Sequence, residues 1–142
     1  MQEYQSLEKA KKSIIIKNIR KALQERGGVD FAYLFGSFLS QNTFRDIDIA
    51  IFLRPEMFRE ESRFDIETEI SDKLQEETGL SFELFDIKIL NGAPESFLSE
   101  VFSRGRLLFA RDRGSLTDTI ERVSQFSLAN EHIAEASFRE LV

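Results

Sequence analysis

The sequence contains no cysteine and a single histidine, His132, among its 142 residues. Without cysteine the chain cannot form disulfides, thiolate zinc sites or a catalytic thiol, and one histidine cannot build a multi-histidine metal site. A bound metal ion would therefore have carboxylate ligands, which favours hard cations such as Mg²⁺. Because His132 falls in a predicted C-terminal helix far in sequence from the carboxylates considered below, we expect it to have a surface or packing role.

Tryptophan is absent and tyrosine occurs only twice, so the 14 phenylalanines must supply most of the aromatic core packing. Long apolar runs are absent as well. Residues 1–12 are polar, and the isoleucine run at 14–16 is far too short to span a bilayer. Since no segment resembles a signal peptide, we expect a cytoplasmic protein with no membrane partner.

Positive charge is scarce: the chain has 19 Lys and Arg residues and 25 Asp and Glu residues, which gives a formal net charge of −6. This balance argues against direct DNA or RNA binding, which depends on neutralising phosphates with basic side chains. A nucleotide substrate remains compatible, because a metal ion can carry the positive charge. We expect a protein or small-molecule partner, and the length fits one domain over residues 1–142.

Apolar periodicity together with glycine and proline positions predicts alternating helices and strands. The predicted helices cover residues 4–25, 59–78, 95–104 and 115–140, and the predicted strands cover residues 29–35, 46–53, 81–90 and 107–109. This pattern indicates an α/β (α+β) fold, with helices flanking a small sheet and a long C-terminal helix. The last helix, 115–140, has an apolar stripe that fits either the core or a partner chain, so a homo- or hetero-oligomer remains open.

The most informative segment covers residues 35–52, in which Gly36 and Ser37 end one predicted strand and Asp46 and Asp48 open the next. Residues two apart in a strand point to the same face, so both carboxylates project together. Because such carboxylates repel each other, a divalent cation is their natural neutraliser. Each half of this pattern is ordinary by itself: Gly-Ser begins many helices, and Asp-x-Asp is often a solvated strand face.

With these motifs, and with NGAP at 91–94 and RGRLLFARD at 104–112, the chain resembles the minimal nucleotidyltransferase (MNT) domains of the DNA polymerase β-like superfamily. The resemblance covers roughly residues 14–112 and implies a nucleotidyltransferase fold with a mixed sheet. It implies that Gly36 and Ser37 bind nucleotide phosphates at the start of a short helix. It also implies that Asp46 and Asp48 are catalytic residues that bind Mg²⁺.

The resemblance further implies a third metal-binding and catalytic carboxylate on a neighbouring strand. Within the predicted strand 81–90, Glu83 matches the family position best and Asp86 is the alternative. Residues three apart point to opposite faces of a regular strand, so we expect only one of the two to join the site.

The implied reaction is attack by an acceptor hydroxyl on the α-phosphorus of ATP, with pyrophosphate as the leaving group and Mg²⁺ as the cofactor. Toxin-paired members of the family imply an antitoxin that transfers AMP to a hydroxyl, for example of tyrosine, on a HEPN-family ribonuclease toxin. The spacer at 38–45 is shorter than the family's usual one and lacks its Arg-Gly pair, although Arg45 offers a substitute. The alternative is therefore a catalytically degenerate antitoxin that neutralises its partner by masking it.

Overall fold

The computed structural model describes residues 5–6, 9–41 and 43–126. The strands are β1 (Gln5–Ser6), β2 (Val29–Phe35), β3 (Thr43–Phe44), β4 (Ile47–Leu53), β5 (Phe85–Ile89) and β6 (Arg106–Ala110). The helices are α1 (Lys9–Arg26), α2 (Ser37–Ser40), α3 (Arg63–Thr78), α4 (Glu95–Arg104) and α5, which covers residues 113–126. Short 3-10 turns occur at Pro55–Met57, Glu60–Ser62 and Phe82–Leu84.

The centre of the fold is a four-stranded mixed sheet with the order β5-β4-β2-β6. Strand β2 runs antiparallel to both β4 and β6, whereas β4 and β5 are parallel. The short strands β1 and β3 pair separately with each other. As a consequence, the end of β2 meets the starts of β4 and β5 at one end of the sheet.

Alternation along β4 gives the sheet two faces with different neighbours. Ile47, Ile49 and Ile51 are completely buried in a cluster with apolar residues of α1 and α3. On the opposite face, Ala50 and Phe52 belong to a cluster with apolar residues of α4 and α5. The sheet therefore lies between two helical layers, and Asp48 shares its face with Ala50 and Phe52.

A buried asparagine in the turn after β5 ties this turn to the end of β4. The side chain of Asn91 accepts a hydrogen bond from the Leu53 N–H (2.9 Å) and donates one to the Leu53 carbonyl (2.8 Å). The Leu90 N–H also donates to the Ile51 carbonyl (2.8 Å). These bonds satisfy buried backbone groups beyond the last ladder pair and fix β4 against β5.

Most elements predicted from the sequence are confirmed, with shifted ends. Strand β2 and helix α4 have the predicted bounds, and β4 begins one residue later than predicted. Helix α1 covers Lys9–Arg26 instead of 4–25, and Ile14 on it is 60% exposed. The helix predicted over 59–78 begins with a 3-10 turn, and its α-helical part starts at Arg63.

Two predictions need correction. The strand predicted over 81–90 is wrong at its start, because Phe82–Leu84 forms a 3-10 turn and β5 begins only at Phe85. The connection at 38–45, predicted without secondary structure from its own residues, contains most of α2 and all of β3. The short helix itself agrees with what the family resemblance implied.

Of the helix predicted over 115–140, the structure describes α5, which covers residues 113–126. The rest of the predicted helix, including His132, lies outside the described residues. Within α5, Leu116 and Val123 are buried as the core alternative predicted, whereas Phe126 is 41% exposed. Across the described ranges, no helix has the length and apolarity needed to cross a bilayer.

Candidate active site

The register of β4 with β5 puts two carboxylates side by side. Asp48 is the parallel partner of Asp86, so the two side chains are neighbours on one face of the sheet. Burial, the negative charge and hydrogen-bonding capacity of Asp86, and the charge of Asp46 raise the pKa of Asp48 to about 6, against an opposing effect of Lys88. Because neighbouring carboxylates repel each other, a proton or a cation between their oxygens stabilises the pair.

This donor set fits a hard divalent cation. Carboxylate oxygens are the ligands that Mg²⁺ prefers, and the Asp86 side chain is 44% exposed, so an ion can reach it from solvent. Asp46 precedes β4 directly and is close enough for its charge to act on Asp48. In residues 9–41 and 43–126 no three acidic or histidine side chains are already grouped as a metal centre. The candidate ligands are therefore the pair Asp48 and Asp86, with Asp46 beside them.

Gly36 brings the turn between β2 and α2 directly against Asp48. Phe35, the last residue of β2, is the register partner of Asp48, and Gly36 follows it with a φ of +79°. A Cβ at this position would collide with Asp48 Oδ2. Only glycine combines the left-handed backbone with this close approach. Helix α2 then starts at Ser37, so both predicted phosphate-binding residues lie beside the carboxylate pair.

The spacer at 38–45 is held from inside the fold. Phe38 and Phe44 are both 1% exposed and pack edge to face at 4.7 Å between ring centroids. The ammonium group of Lys12 donates to the carbonyls of Phe38 (2.6 Å) and Gln41 and lies 4.9 Å from the centre of the Phe38 ring. These contacts fix the backbone between Ser37 and the candidate metal ligands Asp46 and Asp48, whereas Arg45 is exposed. The sequence patterns contain no signal for Lys12, because its partners lie on another element.

Glu83 is not part of the carboxylate pair. It lies in the 3-10 turn before β5, with an exposed side chain. Asp86 is the acidic residue that β5 places opposite Asp48. The expected strand position of Glu83 is therefore wrong, and the geometry favours the alternative, Asp86, as the candidate third carboxylate.

The pair is bordered by one cation and one aromatic contact. Lys88 lies two residues after Asp86 on β5, with its Nζ 3.5 Å from Asp86 Oδ1. Phe35 packs edge to face against Phe97 of α4, with 5.9 Å between ring centroids. The site is thus a pair of carboxylates open to solvent, limited by a glycine turn, an ammonium group and an aromatic wall.

A family model described as Polymerase beta, Nucleotidyltransferase matches residues 17–114. This range contains Gly36, Asp48, Asp86 and all four strands of the main sheet. The chain belongs to this nucleotidyltransferase family. No curated protein matches it in sequence.

Solved toxin–antitoxin structures share the fold of this nucleotidyltransferase chain. A chain of the tri-AMPylated Shewanella oneidensis HEPN toxin complex with MNT antitoxin superposes with a TM-score of 0.62 at 19% identity, covering 92% of this chain and 98% of that one. A toxin–antitoxin complex with AMP-PNP gives 0.63 at 20% identity, covering 89% and 97%. The MntA–HepT toxin–antitoxin gives 0.60 at 18% identity, covering 91% and 97%. These likenesses establish the fold and confirm the predicted fold class.

We predict that Gly36→Ala weakens Mg²⁺-dependent ATP binding, while it lowers the free energy of unfolding about as much as an alanine at another positive-φ glycine. The added Cβ would occupy the position of Asp48 Oδ2 and so displace this carboxylate from its place beside Gly36, and the strained backbone itself costs about 1–3 kcal/mol. Calorimetry should show ATP affinity reduced at least ~10-fold, and urea unfolding should give the stability. Gly27→Ala is the matched control, since Gly27 has a φ of +78° and nothing within 4 Å of an added Cβ. Equal ATP binding by the two variants would contradict the role of Gly36.

We predict that Asp48→Asn stabilises the metal-free protein at neutral pH. The folded-state pKa of Asp48, about 6, lies above its ordinary value. The contribution of Asp48 to the free energy of unfolding is therefore fully present below about pH 4 and is lost as pH rises through about 6. Since Asp48 is only half-buried, screening limits the gain of the amide to about 1 kcal/mol.

The gain should be present at pH 7.5 and absent near pH 4 in urea unfolding without divalent cations. Glu25→Gln, on the exposed side of α1, is the control and should change stability little at either pH. A gain for Asp48→Asn that is the same at both pH values would show that the carboxylate repulsion is not its source.

Proposed function

We propose that the chain is an MNT-type antitoxin of the cytoplasm that transfers AMP from ATP to a hydroxyl of a HEPN-family toxin. The observation that carries this proposal is the carboxylate pair Asp48 and Asp86, with Gly36 packed against Asp48. The family match supports nucleotidyl transfer. The similar solved structures, one with an AMPylated HEPN toxin and one with AMP-PNP, support the partner and the nucleotide.

Each site residue has a definite role in this proposal. Gly36 and Ser37 hold the ATP phosphates through the turn that begins α2. Asp48 and Asp86 bind Mg²⁺, with Asp46 beside them. When bound, Mg²⁺ neutralises phosphate charge and stabilises the attacking and leaving oxygens. The anionic pair is thus complementary to a metal nucleotide and not to a free anion.

The chain and the two substrates supply every group that the transfer step needs. The acceptor hydroxyl oxygen forms a bond to the α-phosphorus, and the bond from that phosphorus to the bridging oxygen breaks. Pyrophosphate leaves with the bonding electrons, and the hydroxyl proton passes to an Oδ atom of Asp86. Asp86 suits this proton transfer because it lies on the outer strand β5 with a partly exposed side chain.

We predict that Asp86→Asn reduces AMP transfer by a factor of about 100 or more, because it removes both a metal ligand and the proton acceptor. Glu83→Gln, the matched change at the carboxylate that the sequence favoured, should keep near-native transfer. The measurement is the incorporation of label from α-labelled ATP into the co-purifying HEPN toxin with Mg²⁺, followed by intact mass.

Loss of transfer in Glu83→Gln together with retention in Asp86→Asn would reverse the assignment of the third carboxylate. No transfer by the native chain to its co-purifying toxin would contradict the enzymatic proposal. If the toxin ribonuclease were nevertheless inhibited in the complex, the masking role would take its place. The observation that favours masking is the spacer at 38–45, whose only basic residue is the exposed Arg45.

A further inference from the structure

A groove of about 620 Å³ opens beside the carboxylate pair, on the outer side of β5. Two of its lining residues also border the active site. Lys88 is the ion-pair partner of Asp86, and Phe97 packs against Phe35, the register partner of Asp48. From these two residues the groove extends along Ile89 and Ala93. Through Lys88 and Phe97 the groove therefore borders the site.

The wall opposite the sheet is fixed by a single arginine. Arg63, in the first turn of α3, donates to the carbonyls of Ile89 (2.8 Å) and Asn91 (2.6 Å). Arg63 also donates to the Glu60 carboxylate at 2.7 and 2.8 Å, and its guanidinium lies 5.0 Å from the centre of the Phe58 ring. An arginine held by so many partners keeps the groove open in a defined shape.

The order of the site residues across the sheet indicates which substrate enters from the side of β5. Gly36 follows β2, Asp48 lies on β4 and Asp86 lies on β5, and these are three consecutive strands. Adjacent strands are about 4.8 Å apart, so the three positions span roughly 10 Å. In an in-line displacement the leaving and attacking oxygens lie on opposite sides of the phosphorus. With the leaving phosphates at Gly36, the attacking hydroxyl comes from the side of β5.

The lining of the groove fits a polypeptide better than a polyphosphate. Its two basic residues, Arg63 and Lys88, are balanced by Glu60 and Glu67, and both basic residues have carboxylate partners. No excess of positive charge among these lining residues is left for a triphosphate. The apolar part consists of Ile89, Ala93, Pro94 and Phe97. A neutral, extended segment with an apolar side chain matches these surroundings.

We propose that the groove binds the acceptor segment of the partner polypeptide, which presents its hydroxyl at Asp86 and packs its neighbouring residues against Phe97 and Ala93. This inference rests on the proposed transfer reaction and adds the place where the acceptor binds. It assigns the nucleotide and the acceptor to opposite sides of the carboxylate pair.

A single introduced thiol tests this assignment after the protein has folded. The chain has no cysteine, so Ala93→Cys carries one thiol in the groove, and N-ethylmaleimide adds bulk there. For alkylated Ala93→Cys we expect the KM for the co-purifying HEPN toxin to rise at least ~10-fold over the unlabelled variant, and the KM for ATP to stay within ~2-fold. Bound toxin should also slow the alkylation, whereas Mg²⁺-ATP should not.

Glu76→Cys is the control, on an exposed position of α3 roughly 13 Å along the helix from Glu67. Its alkylation should change neither KM. An unchanged toxin KM for alkylated Ala93→Cys, with no protection by toxin, would overturn the proposal. A raised KM for ATP in place of the toxin KM would overturn it as well, because the groove would then hold the nucleoside.

These experiments distinguish a wrong assignment of the groove from a wrong proposed function. If the native chain transfers AMP but Ala93→Cys is neither protected by toxin nor sensitive to alkylation, only the groove assignment is wrong. If the native chain transfers nothing while the toxin still protects the Ala93→Cys thiol, the enzymatic function is wrong and the docking of the partner in the groove stands.

Discussion

The parallel pairing of β4 with β5 is the constraint on which the candidate active site depends. It places Asp48 opposite Asp86 at the end of the sheet where β2 also ends. Two carboxylates in this position repel each other, and burial of Asp48 increases the cost of its charge, so its pKa rises to about 6. A protein keeps such an arrangement only if the surrounding structure holds both strands firmly.

Several contacts away from the carboxylates provide that support. Asn91 bonds both backbone groups of Leu53 and so ties the far end of β4 to the turn after β5. Lys12 and the buried Phe38–Phe44 pair hold the spacer from the side of α1. The isoleucines on the opposite face of β4 are completely buried. The core therefore stabilises the pair, and bound metal nucleotide would relieve its repulsion.

Much of this arrangement follows from sequence patterns, and the exceptions have physical reasons. Apolar runs bounded by glycine located β2 correctly, and alternation identified Asp48 with buried isoleucines behind it. The sequence pattern did not identify which acidic residue lies opposite Asp48, because a 3-10 turn at Phe82–Leu84 delays the start of β5 and leaves Glu83 outside the strand. A single strand pattern does not show where pairing begins.

Contacts between distant segments could not be predicted from the sequence patterns either. Lys12 reaches a carbonyl 26 positions later in the chain, and nothing in the amphipathic pattern of α1 distinguishes this lysine from its neighbours. The groove combines α3, β5 and α4, so its shape depends on how these elements pack. The glycine at Gly36 was recognised as a turn, but its close approach to Asp48 becomes visible only once β2 and β4 are paired.

The most direct test of the central claim is a crystal structure of the chain with Mn²⁺ and a non-hydrolysable ATP analogue. The metal position would be taken from anomalous scattering. We predict a metal ion about 2.1 Å from carboxylate oxygens of both Asp48 and Asp86, with the analogue's phosphates at Gly36 and Ser37 and with Glu83 outside the coordination sphere. A metal ion held by Glu83, or a fully occupied nucleotide bound away from the Asp48–Asp86 pair, would contradict this claim.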